Sequence, residues 1–359
     1  MATNLIYMPT FRVRQQENIV LRSFEFGEHM FPLLEIVKEF DRKREGEKQP
    51  LFDEIHLGLI NDIKAQRVLV DMPVYLKERA SMKSEVLDFS RKVISNREKR
   101  TEYLLQLANL KTKITPVISS YLNRTGELNT ISLQVKELRP VFNSIAFRIL
   151  FNHFNEDWAE ISQIATVNDF IILDLDVIAP YPSPSLRQII NLWRNFNICP
   201  KIVLRSAIND IQNVNLSNHN IVFDADNGLL ETYKSSFLAN AFGDYCGIKK
   251  DDLTSGGTIS PGFIFYDPIN NQFIGYKGEV KSLSEFEDTI VPAVIASQAV
   301  IDMKSSGLPY LSGDNKGWEI LNEISQSIQS GKSQAKFKRI SMEHYLHCLK
   351  TKIDTSQLI

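Results

Sequence analysis

The chain predicts an α/β protein of the (β/α)8 TIM-barrel-like kind, and three observations lead there. Short apolar runs rich in β-branched residues recur eight times. Each run shows little apolar–polar alternation, as expected of a parallel strand covered on both faces. Helix-patterned segments lie between the runs, and strand alternating with helix builds a parallel sheet. A doubly wound open sheet fits the same alternation, and the count of eight favours closure.

The runs in order are LIYMPTF (5–11), MFPLLEIV (30–37), RVLVDMP (67–73), KITPVIS (113–119), SIAFRIL (144–150), DFIILDLD (169–176), PKIVLRS (200–206) and AFGDYCGI (241–248). The stretch NHNIVFDADN (218–227) reads as a further strand candidate, which leaves the count open by one. SEVLDFSRKVISNREKRTEYLLQLANL is amphipathic and charged, and SPSLRQIINLWRNFN opens on a Ser-Pro helix start. GLLETYKSSFLANA carries apolar residues at helical spacing.

After Ile248 the rhythm changes. TSGGTISPGFIFYDPINNQFIGYKGE reads as a β-hairpin of two aromatic-rich strands about a DPINNQ turn. EDTIVPAVIASQAVIDMKSS, GWEILNEISQSIQS and the closing FKRISMEHYLHCLKTKID read as helices. The expected organisation is a barrel over 1–248, with 249–359 a C-terminal α+β elaboration packed on it, since no Pro/Gly/Ser linker divides the two.

Basic and acidic residues nearly balance, at 41 against 43, so nothing global suggests a nucleic-acid coat or a membrane-surface protein. No apolar run approaches the ~18 residues of a membrane-spanning helix. The N-terminus lacks a signal-peptide pattern, and Cys199, Cys246 and Cys348 show neither metal nor disulfide spacing. A cytoplasmic protein is expected.

In a barrel, functional side chains gather at the C-terminal strand ends. Reading those ends gives Arg12, Arg14 and Glu17, then Glu35, Asp71, Ser119 and Ser120, Arg148, Asp174 and Asp176, Arg205, and Asp244 with Tyr245. Buried charges must pair or face a solvated cleft. One reading is a ring of Arg–carboxylate pairs stitching the mouth. The other is a site, in which Arg148 and Arg205 would fork onto a phosphate or carboxylate. Asp174 and Asp176 share a strand face by period two, and with Glu35 could hold Mg2+ or Mn2+ through oxygen. His344 and His347, three apart in a helix, could share a metal or simply pack. Walker A, GxGxxG, HExxH and GxSxG motifs are absent.

Several stretches in order resemble the phage beta protein family of prophages and bacterial genomes: YMPTFRVRQQE, PLLEI, FGDYCGI, SPGFIFYD, YKGE, YLSGD and FKRISMEHYLHCL. The likeness spans almost the whole chain and is most specific at Gly243–Tyr245, Lys277–Gly278, Ser312–Asp314 and Arg339–His344. Tyr345 stands where the family often has a second His, and Lys277 where Arg is usual. The resemblance implies a TIM-barrel-type fold with a C-terminal addition and a role in phage–host conflict, through phage exclusion or toxin-linked modules. It brings no established reaction.

Three functions follow as expectations. The first is an interaction or sensor barrel that binds a small phosphate-containing anion at its mouth. The second is a metal-dependent phosphodiesterase or nuclease with Glu35, Asp174 and Asp176 catalytic. The third is a ligand-free scaffold for a toxin or nuclease. The partner would be a protein of the same defence or prophage operon, or a nucleotide or nucleic acid. The Ser312–Gly313–Asp314 turn is expected beside Asp244, Tyr245 and Arg205 at the mouth. There Asp314 would either cap the following helix or help bind an anion together with Lys277, Arg339 and His344.

Overall fold

Eight parallel strands close on themselves in the computed structural model, which describes residues 4–40, 49–120, 125–181, 183–209, 211–250, 253 and 259–358. They are β1 (Tyr7–Arg12), β2 (Leu33–Glu35), β3 (Val68–Asp71), β4 (Ile114–Ile118), β5 (Ala146–Leu150), β6 (Phe170–Asp174), β7 (Lys201–Leu204) and β8 (Ala241–Asp244). Each apolar run supplies one strand. Neighbours around the barrel are neighbours in sequence, and β8 pairs back onto β1 with Tyr7 opposite Phe242. The architecture is therefore the (β/α)8 barrel and not the open sheet.

Strand residues alternate between lumen and helix layer. Twelve apolar residues, ten on the eight strands and two just before β1 and β2, form a lumenal cluster that includes Met8, Leu33, Leu69, Ala146, Ile172 and Leu204. Lumen-facing positions farther toward the C-terminal end include Arg12, Glu35, Asp71, Arg148 and Asp174. Arg12, Glu35 and Asp71 are in direct register across three strands.

The outer helices are α1 (Gln15–Ser23), α2 (Phe52–Asp62), α3 (Ser84–Ser95), α4 (Arg97–Gln106), α5 (Thr130–Leu138), α6 (Phe154–Ile164), α7 (Pro184–Arg194) and a single turn α8 (Leu229–Thr232). Several helices differ from the sequence expectation. The charged segment from Ser84 breaks in two at Asn96, whose side chain accepts from the Lys99 N–H and restarts the helix. GLLETYKSSFLANA gives only the α8 turn before the chain leaves helical geometry at Leu238, which has φ 49°. Ser183 caps α7 as its sequence promises.

Beyond the barrel, β9 (Gly262–Asp267) and β10 (Gln272–Lys277) form the expected hairpin. The candidate strand near residue 220 contributes only Asn220–Ile221, which pairs with β10 and leaves the barrel at eight strands. The helix expected from Glu287 divides into a π-turn (Phe286–Ile290), α9 (Val291–Ile295) and α10 (Gln298–Ser305), with Ser297 capping the last. Two helices follow, α11 (Lys316–Ser325) and α12 (Gln334–Asp354).

α12 lies directly on the barrel beside α1. Its Tyr345 hydroxyl bonds Asp244 at the end of β8, and its Lys338 pairs with the buried Glu17 of α1 at 2.5 Å. The approach requires a glycine at 247. Its φ is +67°, and a Cβ there would come within 2.5 Å of the Tyr345 ring. Among the described residues, no helix is long and apolar enough to cross a membrane.

Candidate functional site

At the C-terminal end of the lumen the side chains form one charged cluster centred on Arg148. Its Nη1 donates to Glu35 Oε1 at 2.9 Å and to Asp71 Oδ2 at 2.7 Å. Nε and Nη2 both donate to Asp174 Oδ2, at 3.0 and 2.6 Å. Arg12 Nε reaches the other Glu35 oxygen at 2.8 Å. The hydroxyls of Tyr75 and Tyr245 also donate to Glu35 Oε1, the latter at 2.7 Å. Arg148 and Glu35 have no exposed surface, and Asp71 and Asp174 have almost none.

Burial of three carboxylates is tolerable only with donors and counter-charges in contact. Burial would raise the Glu35 carboxyl, but Arg12, Arg148 and Lys250 hold it well below the usual carboxylate range. Asp71 sits less favourably. Burial, together with the neighbouring Glu35 and Asp174 charges, outweighs Arg148 and pushes it up to about 6. Tyr245 is pushed up to about 12 by burial and by Glu35. Arg148 also stacks under the Tyr75 ring at 4.4 Å.

Lys250 closes the cluster from above. Its Nζ lies over the Tyr75 and Tyr245 rings at 5.0 and 5.2 Å and pairs with Asp176 Oδ1 at 2.9 Å. Asp174 and Asp176 do not share a face. Asp174 ends β6 inside the lumen, whereas Asp176 turns outward with φ 52° and a mostly exposed side chain. A guanidinium occupies the space between Glu35 and Asp174 that the metal reading would give to a cation. Among the described residues, no group of three or more His, Cys, Asp or Glu is arranged to hold a metal ion.

Above the cluster opens a cavity of about 420 Å³. Arg12, Lys77, Arg79, Lys249 and Lys250 line it, against the carboxylates Asp174 and Asp176. His153, Ser206 and Asn209 complete its polar wall. Five basic side chains thus line the cavity against two carboxylates, with Arg12 committed to Glu35 and Lys250 to Asp176.

The other expected site residues lie elsewhere. Arg205 and Asp244 face the helix layer, because their neighbours Leu204 and Gly243 take the lumenal positions. Arg205 Nε donates to the Ile178 carbonyl at 2.8 Å, and its guanidinium holds Asp226. Asp244 accepts from Tyr7 OH at 2.7 Å, from Tyr345 OH and from the Cys246 N–H at 2.8 Å. Arg14 is the N-cap residue of α1. Lys277 ends β10, where its Nζ reaches the Val214 carbonyl at 3.5 Å.

The Ser312–Asp314 turn is not placed with Asp244, contrary to expectation. Ser312 Oγ lies 3.4 Å from His347 Nε2 on α12. Tyr345, which meets Asp244, is two residues away and so about 200° around that helix. Asp314 is exposed and does not cap α11. Asn315 does, accepting from the Trp318 N–H at 3.0 Å. Asn315 Nδ2 also donates to the Tyr310 carbonyl and to His344 Nδ1, at 2.7 and 2.9 Å.

His344 in turn donates from Nε2 to the Tyr266 carbonyl at 2.8 Å and stacks on Phe265. Burial pushes it down to about 3, so it is a neutral packing residue. Arg339 lies 3.4 Å from Glu343 one turn along α12. His347 Nε2 gives its proton to the Pro309 carbonyl at 2.8 Å, so it cannot act as a base toward Ser312.

Sequence reasoning missed Tyr75 and Lys250 as members of the cluster. The only signal was their position a few residues beyond β3 and β8, at the end of the barrel where mouth loops start.

Fold and site together define a parallel (β/α)8 barrel whose lumen is sealed at the C-terminal mouth by a buried ion network under a basic rim. Residues 7–349 match the family model described as Beta protein, and the chain belongs to that family. No curated protein matches it.

Proposed function

We propose that the protein is a binding barrel that recognises a small phosphate-bearing anion at its mouth, acting as the sensor or interaction component of a phage-conflict system. The observation that carries the binding part is the cavity above Arg148, with five basic side chains against two carboxylates. Its volume lies within the roughly 300–1,000 Å³ usual for small-molecule sites. Arg12 and Arg148 pair the carboxylates of the floor, and Lys77, Arg79, Lys249 and Lys250 bring further positive charge to the same cavity, Lys250 sharing its charge with Asp176. The phage-conflict part rests on the family resemblance. A protein partner from the same operon would read the occupied mouth.

The phosphodiesterase reading is less well supported, since Glu35 and Asp174 are committed to Arg148. The test is thermal denaturation with inorganic phosphate, a nucleoside monophosphate and a nucleoside triphosphate. A ligand at 100 times its Kd adds about 2.7 kcal/mol to stability. That gain should vanish in a Lys249→Ala/Lys250→Ala double variant. In a plaque assay the same variant should lose exclusion while remaining folded. A melting temperature indifferent to every phosphate compound would reject the reading.

A further inference from the structure

A second cavity, of about 460 Å³, lies on the outer face of α12, away from the mouth. Glu343, His347, Thr351 and Asp354 line it from one face of that helix, at spacings of four, four and three. Phe24, at the end of α1, and Pro309 add apolar wall, and the Ser312–Asp314 turn forms its edge.

The wall offers acceptors with few donors to meet them. Glu343 is buried, and its Oε2 accepts no hydrogen bond. Arg339 Nε stands 3.4 Å away, out of alignment to donate. A buried carboxylate oxygen without a donor is costly. His347 sends its Nε2 proton to Pro309, which leaves Nδ1 as a lone-pair acceptor. Four carboxylates line the cavity (Glu25, Asp314, Glu343 and Asp354) against Lys316 and Lys350. Both lysines are already engaged, Lys316 with Glu319 at 2.7 Å and Lys350 with Asp354 at 2.5 Å. Lys64 takes Glu25. Glu343 keeps its charge pair with Arg339, so the acceptors open to a ligand are its Oε2 and the Asp314 carboxylate.

The geometry points to a binding site for an organic cation, a primary alkylammonium group seated between Glu343 and Asp314 with its methylene stem on Phe24 and Pro309. A bare metal ion fits less well. Among the described residues no three ligating side chains converge, and the volume is that of a molecule rather than an ion. An ammonium carries three donors, enough to serve Glu343 Oε2 and the Asp314 carboxylate. It could belong to a free polyamine or to a lysine side chain of another protein.

Isothermal titration of the full chain decides. The probes are spermidine, a tetralysine peptide with blocked ends, and magnesium chloride as the control. Saturable one-to-one binding of spermidine or of the peptide is expected, weakened at least tenfold by Glu343→Gln and by Asp314→Asn. The latter lies on an exposed turn and tests the site even if the buried variant fails to fold. Lys249→Ala/Lys250→Ala should leave this binding unchanged, which separates it from the anion reading at the mouth. Binding of spermidine alone identifies a free amine as the ligand, and binding of the peptide alone a lysine side chain. Absence of saturable binding, retention of affinity in Asp314→Asn, or equal competition by magnesium would overturn the proposal.

Discussion

Arg148 and Asp174 meet inside the barrel through two hydrogen bonds to one oxygen, 3.0 and 2.6 Å long, with both side chains buried. Glu35 and Asp71 share the same guanidinium. One residue on β5 thus ties β2, β3 and β6 together across the lumen.

Removing that residue leaves three buried carboxylates with too little counter-charge. Arg148→Met is expected to cost about 3–5 kcal/mol, the usual penalty for breaking a buried pair from one side. The orphaned carboxyls would then titrate above their unfolded values. Their contribution is present at low pH and lost as pH rises, so the variant should recover stability on acidification. Urea midpoints at pH 5 and 7.5 measure this. A variant as stable as the parent at pH 7.5 would show that Arg148 does not hold the cluster.

Asp244 carries a pH signature of the native chain. Burial pushes it up to about 6, against the opposing hydrogen bonds from Tyr345, Tyr7 and the backbone N–H groups of Cys246 and Gly247. An unfolded aspartate titrates near about 3.9. The folded state therefore binds the proton more tightly. The resulting stability is full below about pH 4 and is lost as pH rises through about 6. Asp71 acts with the same sign. The difference in unfolding free energy between the parent and Asp244→Asn should shrink by on the order of 2 kcal/mol from pH 4 to pH 7. Parallel curves would contradict the assignment.

The helix start at α11 separates two adjacent residues. Asn315 caps the helix, bonds the Tyr310 carbonyl and orients His344. Asn315→Ala should cost about 2 kcal/mol or more, since a cap and two further buried bonds go together. Asp314→Ala, exposed and uninvolved in the cap, should stay within about 0.5 kcal/mol. Thermal melts of the two variants give the comparison, and an inverted order would reassign the cap.

His344 should show no titration across the physiological range. Its Nε2 donates to Tyr266 and its Nδ1 accepts from Asn315, so only the neutral Nε2–H tautomer satisfies both contacts. Nitrogen-15 chemical shifts of the ring should report that tautomer unchanged from pH 5 to pH 8. A shift toward imidazolium in that interval would disprove the geometry.

The sequence by itself determined the alternation of buried parallel strands with helices, and favoured a closed barrel over an open sheet. A run such as DFIILDLD lacks alternation because a parallel strand is apolar on both faces, and that is a local property of eight successive residues. It also marked Glu35, Arg148 and Asp174 as charges placed where apolar residues would be cheaper. What it could not reveal is which way each strand-end side chain points. Asp174 and Asp244 occupy equivalent ends of β6 and β8, yet one faces the lumen and the other α12. That outcome is set by register around the closed barrel, and a shift of one residue exchanges lumen for helix layer. The Ser-Gly-Asp turn reads as a mouth element along the chain. Only the tertiary structure could decide otherwise, because α12 packs its Tyr345 face on β8 and leaves the turn on the opposite side of the helix. Tyr75 and Lys250 join the ion cluster from loops, and loops carry no periodicity from which their side-chain directions could be read.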